Sequence, residues 1–168
     1  GYKVSGGLHG VGASVVNALS EWLEVEVCDG ESIWQMKFQR GNVTQPITKI
    51  GTGKNNGSKI TFKADSQIFE DTVYDFEILQ NRLREQAFLN AGIRIVLKDE
   101  RSGKEREEVM HYEGGIRSFV EFINRNKTAL HEQVVYIEGK KDDSIAEIAF
   151  QYTDSYNEVI MSFANDIN

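Results

Sequence analysis

Four glycines surround a single histidine near the start of the chain, in the stretch GGLHGVG at residues 6–12. Glycine reaches backbone conformations with positive φ and leaves no side chain in the way, so successive N–H groups can point into one concavity. The first turn of a helix also carries unpaired N–H groups and a partial positive charge, which attract anions. Glycine spacing alone is compatible with a loop that wraps a polyphosphate, and equally with a flexible linker or a close-packed turn.

Two common phosphate-binding motifs do not fit this stretch. A P-loop requires G-x-x-x-x-G-K-[ST], but no Lys-Ser or Lys-Thr pair follows these glycines. A dinucleotide-binding fingerprint needs a preceding strand, a parallel crossover and an acidic residue about 20 positions further on. Glu24 and Glu26 lie at a compatible distance, but the chain after them has the pattern of hairpins. Both motifs are therefore excluded.

The elements that must position the glycines are a helix directly after them and a set of antiparallel strands. Apolar residues at a spacing of about four predict a helix that begins at Ala13. Alternation at residues 23–27, the turn dipeptide Asp29-Gly30 and renewed alternation at residues 34–38 predict a hairpin. A glycine-rich loop would therefore lead through one helix into a sheet.

The rest of the chain alternates between strands and helices, which predicts an α+β fold in two units. The further predicted strands lie at residues 43–50, 58–63, 93–97, 105–111, 133–138, 145–152 and 158–164, and the further helices at residues 75–91 and from Ile116. Pro46 makes a central position in a sheet unfavourable for its strand. The stretch YEGG at residues 112–115 breaks the pattern, so we expect one domain at residues 1–115 and a second at residues 116–168.

Composition excludes several classes of function. A hydrophobic fraction of 40% with 27% charged residues is typical of a soluble globular protein, and no apolar run approaches the roughly 20 residues of a membrane helix. A net charge of −7 argues against a nucleic-acid clamp, which needs clustered Lys and Arg. Cys28 is the single cysteine, so no intrachain disulfide forms, which fits a reducing cytoplasm. The start without methionine predicts a fragment of a longer protein.

The stretch GGLHGVGASVVNALS closely resembles the ATP-lid motif of a family of ATPases, the ATP-binding subunits of the bacterial type IIA topoisomerases gyrase and topoisomerase IV. Three further segments resemble the same family in the same order. GSKITFKAD is similar to its glycine-threonine strand motif, LREQAFLNAGIRIVLKDER to its helix–strand segment, and HYEGGIRSFVEFINRNK to its junction into the transducer domain. The resemblance implies the C-terminal half of a GHKL-type ATPase α/β sandwich, followed by the first part of an α+β transducer domain.

The resemblance also implies which residues bind the cofactor ATP. Tyr2 and Lys3 lie where the family approaches the adenine and the phosphates. The backbone that would cradle the triphosphate belongs to Gly6, Gly7, Leu8, His9, Gly10, Val11 and Gly12. Ser58 stands where the family usually has a threonine, whose hydroxyl helps to hold the adenine through water. In this motif His9 acts through its position and backbone, so we expect no catalytic role for it.

The family's catalytic groups are expected outside this chain. The glutamate that activates the attacking water, the asparagine that holds Mg²⁺ and the aspartate that reads the adenine all lie upstream of such a lid. The transducer lysine that senses the γ-phosphate lies beyond residue 168. We therefore expect ATP and Mg²⁺ as cofactors of the longer protein, but neither a catalytic residue nor a metal ligand within these 168 residues.

The longer protein implied by the resemblance is an ATP-dependent DNA topoisomerase in the cytoplasm. The gyrase pattern implies negative supercoiling, nucleotide-dependent dimerisation of the gyrase B chains, an A₂B₂ complex with gyrase A, and contact with double-stranded DNA through other parts of the protein. Two alternatives stay open, a topoisomerase IV subunit that decatenates and a scaffold domain that binds nucleotide without hydrolysis. A Glu followed about four residues later by Asn, upstream of Gly1, would separate the enzyme from the scaffold.

Overall fold

The computed structural model describes residues 10–142 and 144–163, and it confirms a fold that mixes helices and antiparallel strands. The elements in chain order are α1 Val11–Ala18, β1 Ser20–Cys28, β2 Ser32–Gln39, β3 Asn42–Thr52, β4 Gly57–Ala64, α2 Phe76–Leu89, β5 Arg94–Asp99, β6 Arg106–His111, α3 Gly115–Asn124, β7 Val135–Lys141 and β8 Ser144–Phe150. Within these ranges none of the helices has the length and apolar content that a membrane crossing requires. The described residues form two compact units, which divide between Val73 and Tyr74. The predicted domain boundary after residue 115 lies inside the second unit and stays a prediction.

The first unit is a four-stranded antiparallel sheet with the strand order β3-β2-β1-β4. The predicted hairpin at Asp29-Gly30 is confirmed as the connection between β1 and β2. Pro46 lies in β3, which is an edge strand, as predicted from its missing N–H. The register between β2 and β3 shifts between Gln35 and Lys37, opposite Pro46, so the sheet accommodates the proline at an irregularity.

The two faces of this sheet differ sharply in polarity. One face carries polar pairs, such as the Lys37 ammonium 3.0 Å from the Glu24 carboxylate. The other, here called the apolar face, consists of Leu23, Val25, Val27, Trp34, Met36, Phe38, Ile60 and Phe62. Of these side chains only Leu23 is buried, whereas Ile60 remains 57% exposed and Phe62 42% exposed. A sheet normally buries such a face under a second layer of the domain.

The second unit is built around α2, whose start is set by Asp75. The Asp75 carboxylate accepts a hydrogen bond from the N–H of Ile78 at 3.0 Å, the usual role of an aspartate at a helix N-cap. The predicted helix at residues 75–91 is thus confirmed with slightly shorter bounds. Its buried side chains are Phe76, Ala87 and Phe88, of which Phe88 is the most central.

Phe88 is the centre of an aromatic core in this unit. Its ring stacks on Tyr112 with centroids 3.7 Å apart and on Phe119 of α3 with centroids 4.8 Å apart. Phe88 is 1% exposed, so it contributes most of its area to the core. Tyr152, in contrast, lies at the surface, with its side chain 66% exposed.

The last part of the described chain contains one two-stranded hairpin, β7–β8. The predicted strand at residues 158–164 is wrong over its described part, because residues 158–163 form no ladder; residue 164 lies outside the described residues. Ile160 is 78% exposed there. Alternating apolar residues indicate strand character only where a neighbouring strand edge is available, and none pairs with residues 158–163.

Asp99 predicts how the stability of the second unit depends on pH. Its carboxylate lies 2.5 Å from the Arg101 guanidinium, and that hydrogen bond lowers the pKa of Asp99 to about 2. A carboxyl with a pKa below its unfolded value stabilises the fold above that unfolded value, about 3.9, and the contribution disappears as the pH falls toward 2. Asp99→Asn should therefore lower the thermal midpoint at pH 7 and leave it unchanged near pH 2.

The matched control for this measurement is Glu107→Gln, which removes an exposed ion pair with Lys98 on the same hairpin. Both partners of that pair are about half exposed, so its loss should change the midpoint little at any pH. Equal pH profiles for Asp99→Asn and the unmodified chain would contradict the assignment to Asp99.

Candidate functional site

The described part of the glycine loop begins at Gly10, which is the N-cap residue of α1. Gly10 has φ 86°, in the left-handed region that favours glycine, and it occupies the N-cap position without a side-chain hydrogen bond. A β-carbon built at Gly10 meets no atom of the described residues within 4 Å. The first turn of α1 contains no acidic residue. Within residues 10–142 and 144–163, nothing therefore blocks the approach of an anion to its N–H donors and partial positive charge.

The predicted site residues divide into those the structure describes and those it does not. Tyr2, Lys3, Gly6, Gly7, Leu8 and His9 lie outside the described residues. Gly10, Val11 and Gly12 form the cap and first turn of α1, and all three are exposed. A β-carbon at Gly12 would also meet nothing within 4 Å, so the approach to this turn is unobstructed from the described side.

Ser58 lies in β4 and belongs to the same compact unit as Gly10. It pairs with Val27, near the C-terminal end of β1, whereas α1 precedes the N-terminal end of that strand. The pairing puts Ser58 on the apolar face, in line with Ile60 and Phe62, and its side chain is exposed. A hydroxyl beside exposed apolar side chains suits a flat ring that needs one polar contact.

Asp29 organises the turn at this end of β1. Its carboxylate accepts hydrogen bonds from the N–H of Ser32 at 2.8 Å, the N–H of Glu31 at 3.0 Å and the indole N–H of Trp34 at 3.1 Å. The bond from Ser32 contributes most to lowering the pKa of Asp29. Asp29 therefore fixes the β1–β2 turn through its own hydrogen bonds.

Sequence reasoning missed a pairing between Arg40 and Asp65. The Arg40 Nε–H donates to Asp65 Oδ2 at 2.6 Å, and Asp65 is 1% exposed. This hydrogen bond is the main reason why the pKa of Asp65 lies below its usual range. Asp65 ends the motif GSKITFKAD, whereas the sequence pattern assigns Arg40 only to a turn, because 25 residues separate the two.

Two histidines in the second unit have structural partners. The imidazole of His111 lies 3.0 Å from the carbonyl of Ile93 and 2.8 Å from the Glu113 carboxylate. His131 accepts a hydrogen bond from the N–H of Tyr152 at 3.0 Å, which leaves its Nδ1–H to donate to the Gln133 carbonyl. Across residues 10–142 and 144–163, no group of three His, Cys, Asp or Glu side chains is arranged to hold a metal ion.

Solved structures show the class of protein to which this geometry belongs. The 43K ATPase domain of Thermus thermophilus gyrase B, solved in complex with an aminocoumarin, matches with a TM-score of 0.78 at 38% identity, over 88% of this chain and 40% of that chain. The B-subunit of the DNA gyrase from Myxococcus xanthus has the same fold, with a TM-score of 0.79 at 23% identity over 89% of this chain and 44% of that chain. The fold is that of a gyrase B ATPase domain, which confirms the predicted fold class.

Sequence comparison shows which curated proteins this chain is similar to. DNA gyrase B of Clostridium acetobutylicum is 56% identical over 168 residues, which are 99% of this chain and 26% of that protein. DNA gyrase B of Staphylococcus epidermidis is 51% identical over 169 residues, covering 100% of this chain and 26% of that protein. A family model described as DNA gyrase B matches residues 115–168. Across its whole length the chain is homologous to a segment of DNA gyrase B, and it spans about a quarter of the length of these relatives.

Proposed function

We propose that this chain is the ATP-lid and early transducer part of a gyrase B protein. The longer protein would be a type IIA DNA topoisomerase that couples ATP binding and hydrolysis to negative supercoiling of double-stranded DNA. The observation that carries the proposal is the glycine-capped α1, open to an anion, in a chain 56% identical to a DNA gyrase B over 99% of its length.

The described residues could bind a nucleoside triphosphate in the following way. The N–H groups of Gly10, Val11 and Gly12 would donate to phosphate oxygens, because no side chain of the described residues blocks the first turn of α1 and that turn contains no acidic residue. The hydroxyl of Ser58 would orient the adenine ring beside the apolar face. When bound with Mg²⁺, ATP supplies the γ-phosphoryl group that is transferred to water. The Mg²⁺ ligand and the catalytic base are proposed to lie upstream of residue 1.

The remaining nucleotide contacts and the domain boundary are part of the same proposal. Tyr2 and Lys3 would approach the adenine and phosphates, and the backbone of residues 6–9 would complete the cradle. Residues 1–115 would belong to the ATPase domain and residues 116–168 to the transducer. The start of the gyrase B family match at residue 115 supports this boundary.

The proposed partners are those of a gyrase. Gyrase A would supply the strand-cleaving tyrosine in an A₂B₂ complex, and ATP would drive dimerisation of two gyrase B chains in the cytoplasm. DNA would bind through other parts of the protein, since this chain has a net charge of −7. Lid closure would follow from contacts that the N–H donors gain only with the triphosphate present.

The test uses the full-length protein with its gyrase A partner on relaxed plasmid DNA. We expect negative supercoils to accumulate only with ATP. Decatenation without supercoiling would identify a topoisomerase IV subunit instead. Nucleotide binding without any hydrolysis would favour the scaffold alternative, and a reaction that proceeds equally well without ATP would contradict the proposal.

A further inference from the structure

The two ends of α1 are held very differently. At its start, Gly10 provides no side-chain cap and Val11 is 53% exposed. At its end, the hydroxyl of Ser20 donates to the carbonyl of Val16 at 2.6 Å, and Ser20 is 1% exposed. The helix itself contains no buried residue. Among the described residues, the hydrogen bonds that hold its position lie at its C-terminal end.

Asp65 is the residue that ties this end to the sheet. Its N–H donates to the carbonyl of Leu19 at 3.1 Å, directly after the last residue of α1. Its carboxylate accepts from the N–H of Gln67 at 2.9 Å and from the guanidinium of Arg40 at 2.6 Å. A carboxylate that is 1% exposed needs such partners to remain charged. Arg40 provides the charge-assisted hydrogen bond among them.

Arg40 reaches Asp65 from the turn between β2 and β3. Its φ of 46° is in the left-handed region, which a non-glycine residue occupies at a cost unless its surroundings hold it there. The next residue, Gly41, lies so close to α1 that a β-carbon on it would touch the Ala18 Cα at 3.5 Å. The turn therefore packs against the end of α1, and its Arg40 side chain forms the ion pair with Asp65.

Arg40 is placed to act on the loop through α1. A helix of eight residues is about 12 Å long, so the end held by Asp65 is about that far from Gly10. Asp65 also neutralises the guanidinium charge. These observations argue against direct contact between Arg40 and a phosphate at the glycine end of the helix.

We propose that Arg40 is a positioning residue for nucleotide retention. With Asp65 it forms a clamp on the C-terminal end of α1, so that the N–H donors of Gly10, Val11 and Gly12 meet the nucleotide from a fixed helix. The inference rests on the proposed function, because it assigns the clamp a part in holding the nucleotide. Without the clamp, α1 moves over a wider range and its N–H donors lose alignment with the phosphates.

The clamp is tested in the full-length protein with Arg40→Asn, Asp65→Asn and the double variant. Asparagine tolerates the left-handed conformation at position 40, so the turn is preserved while the ion pair is lost. Asparagine at position 65 still offers an acceptor to the N–H of Gln67. The matched control is Lys37→Gln, which removes the exposed Glu24 ion pair from the polar face of the same sheet.

Two measurements are made on each protein. Without nucleotide, amide hydrogen exchange of residues 11–20 should become about tenfold faster in both single variants, because the opening of α1 costs less. The dissociation rate of a non-hydrolysable ATP analogue should also rise about tenfold, and the double variant should add little, since both changes remove one interaction. Lys37→Gln should change either rate by less than about twofold.

The outcomes separate the clamp from the proposed function. Unchanged exchange at residues 11–20 in both single variants would overturn the clamp. Faster exchange with an unchanged dissociation rate would also overturn the proposal, because it would leave Arg40 a structural role alone. If the unmodified protein fails to bind the analogue, the proposed function fails, and the exchange measurement still decides whether the clamp exists.

Discussion

Gly10→Val in the full-length protein is expected to abolish nucleotide-driven dimer closure. Gly10 has φ 86°, and a β-branched residue in that region strains the backbone by about 1–2 kcal/mol, so the variant disfavours the conformation that the start of α1 has here. Among the residues that the structure describes, this strain does not come with a clash, because a β-carbon at Gly10 meets none of their atoms within 4 Å. The valine methyl groups would instead occupy the space proposed for the phosphates. Together the two effects should weaken binding of an ATP analogue by more than about 100-fold.

The matched control for this prediction is Gly103→Val. Gly103 has φ 75° and equally open surroundings, but it lies in the turn between β5 and β6 of the other compact unit. It should therefore suffer similar backbone strain and retain normal closure. Closure is measured as analogue-dependent dimerisation, by size-exclusion chromatography with light scattering. Normal dimerisation of Gly10→Val would refute the phosphate-cradle interpretation.

The parts of the fold that could be predicted from the sequence are those set by neighbouring residues. Alternation in β1 and β2, the Asp29-Gly30 turn and the start of α2 at Asp75 each depend on a few positions, and all are confirmed. Pro46 predicts an edge strand because a missing N–H has the same consequence in any sheet. Local rules of this kind need no knowledge of the tertiary structure.

The features that were missed depend on contacts between distant residues. Phe88 is central because Tyr112 and Phe119 stack on its ring, and helical spacing alone does not reveal those contacts. The Arg40–Asp65 pair joins a turn to the end of a strand, so its two halves look unrelated in the sequence. Residues 158–163 have the pattern of a strand without a partner strand. Such errors arise where contacts between residues distant in the sequence decide the structure, because a local sequence pattern does not contain them.

The candidate site also has one part that could be predicted from the local sequence and another that could not. Glycine spacing indicates a helix start open to an anion, and the geometry of Gly10 agrees with that interpretation. The assignment of ATP came from the resemblance, because backbone N–H groups bind any suitably shaped anion. The apolar face of the four-stranded sheet is largely exposed in this chain. Ile60 and Phe62 need a covering layer, and this chain spans 40% of the matched Thermus thermophilus domain.

The isolated 168-residue chain is expected to hydrolyse ATP no faster than the buffer blank. The family resemblance puts the catalytic glutamate and the Mg²⁺-binding asparagine upstream of the glycine loop. Without a general base and a metal ligand, positioned N–H donors stabilise charge but do not activate the attacking water. General-base catalysis alone contributes about 10²–10⁴-fold to a typical rate, so its loss removes measurable turnover.

The test compares phosphate release by three purified proteins: the isolated chain, its Gly10→Val version and the full-length protein. Only the full-length protein should show turnover that rises in proportion to its concentration. Equal low rates in the isolated chain and its Gly10→Val version would mark a contaminating ATPase, because the variant lacks the proposed cradle. The prediction would be contradicted if the isolated chain showed concentration-dependent turnover and the Gly10→Val version did not. That result would show that residues 1–168 contain a general base and a metal ligand of their own.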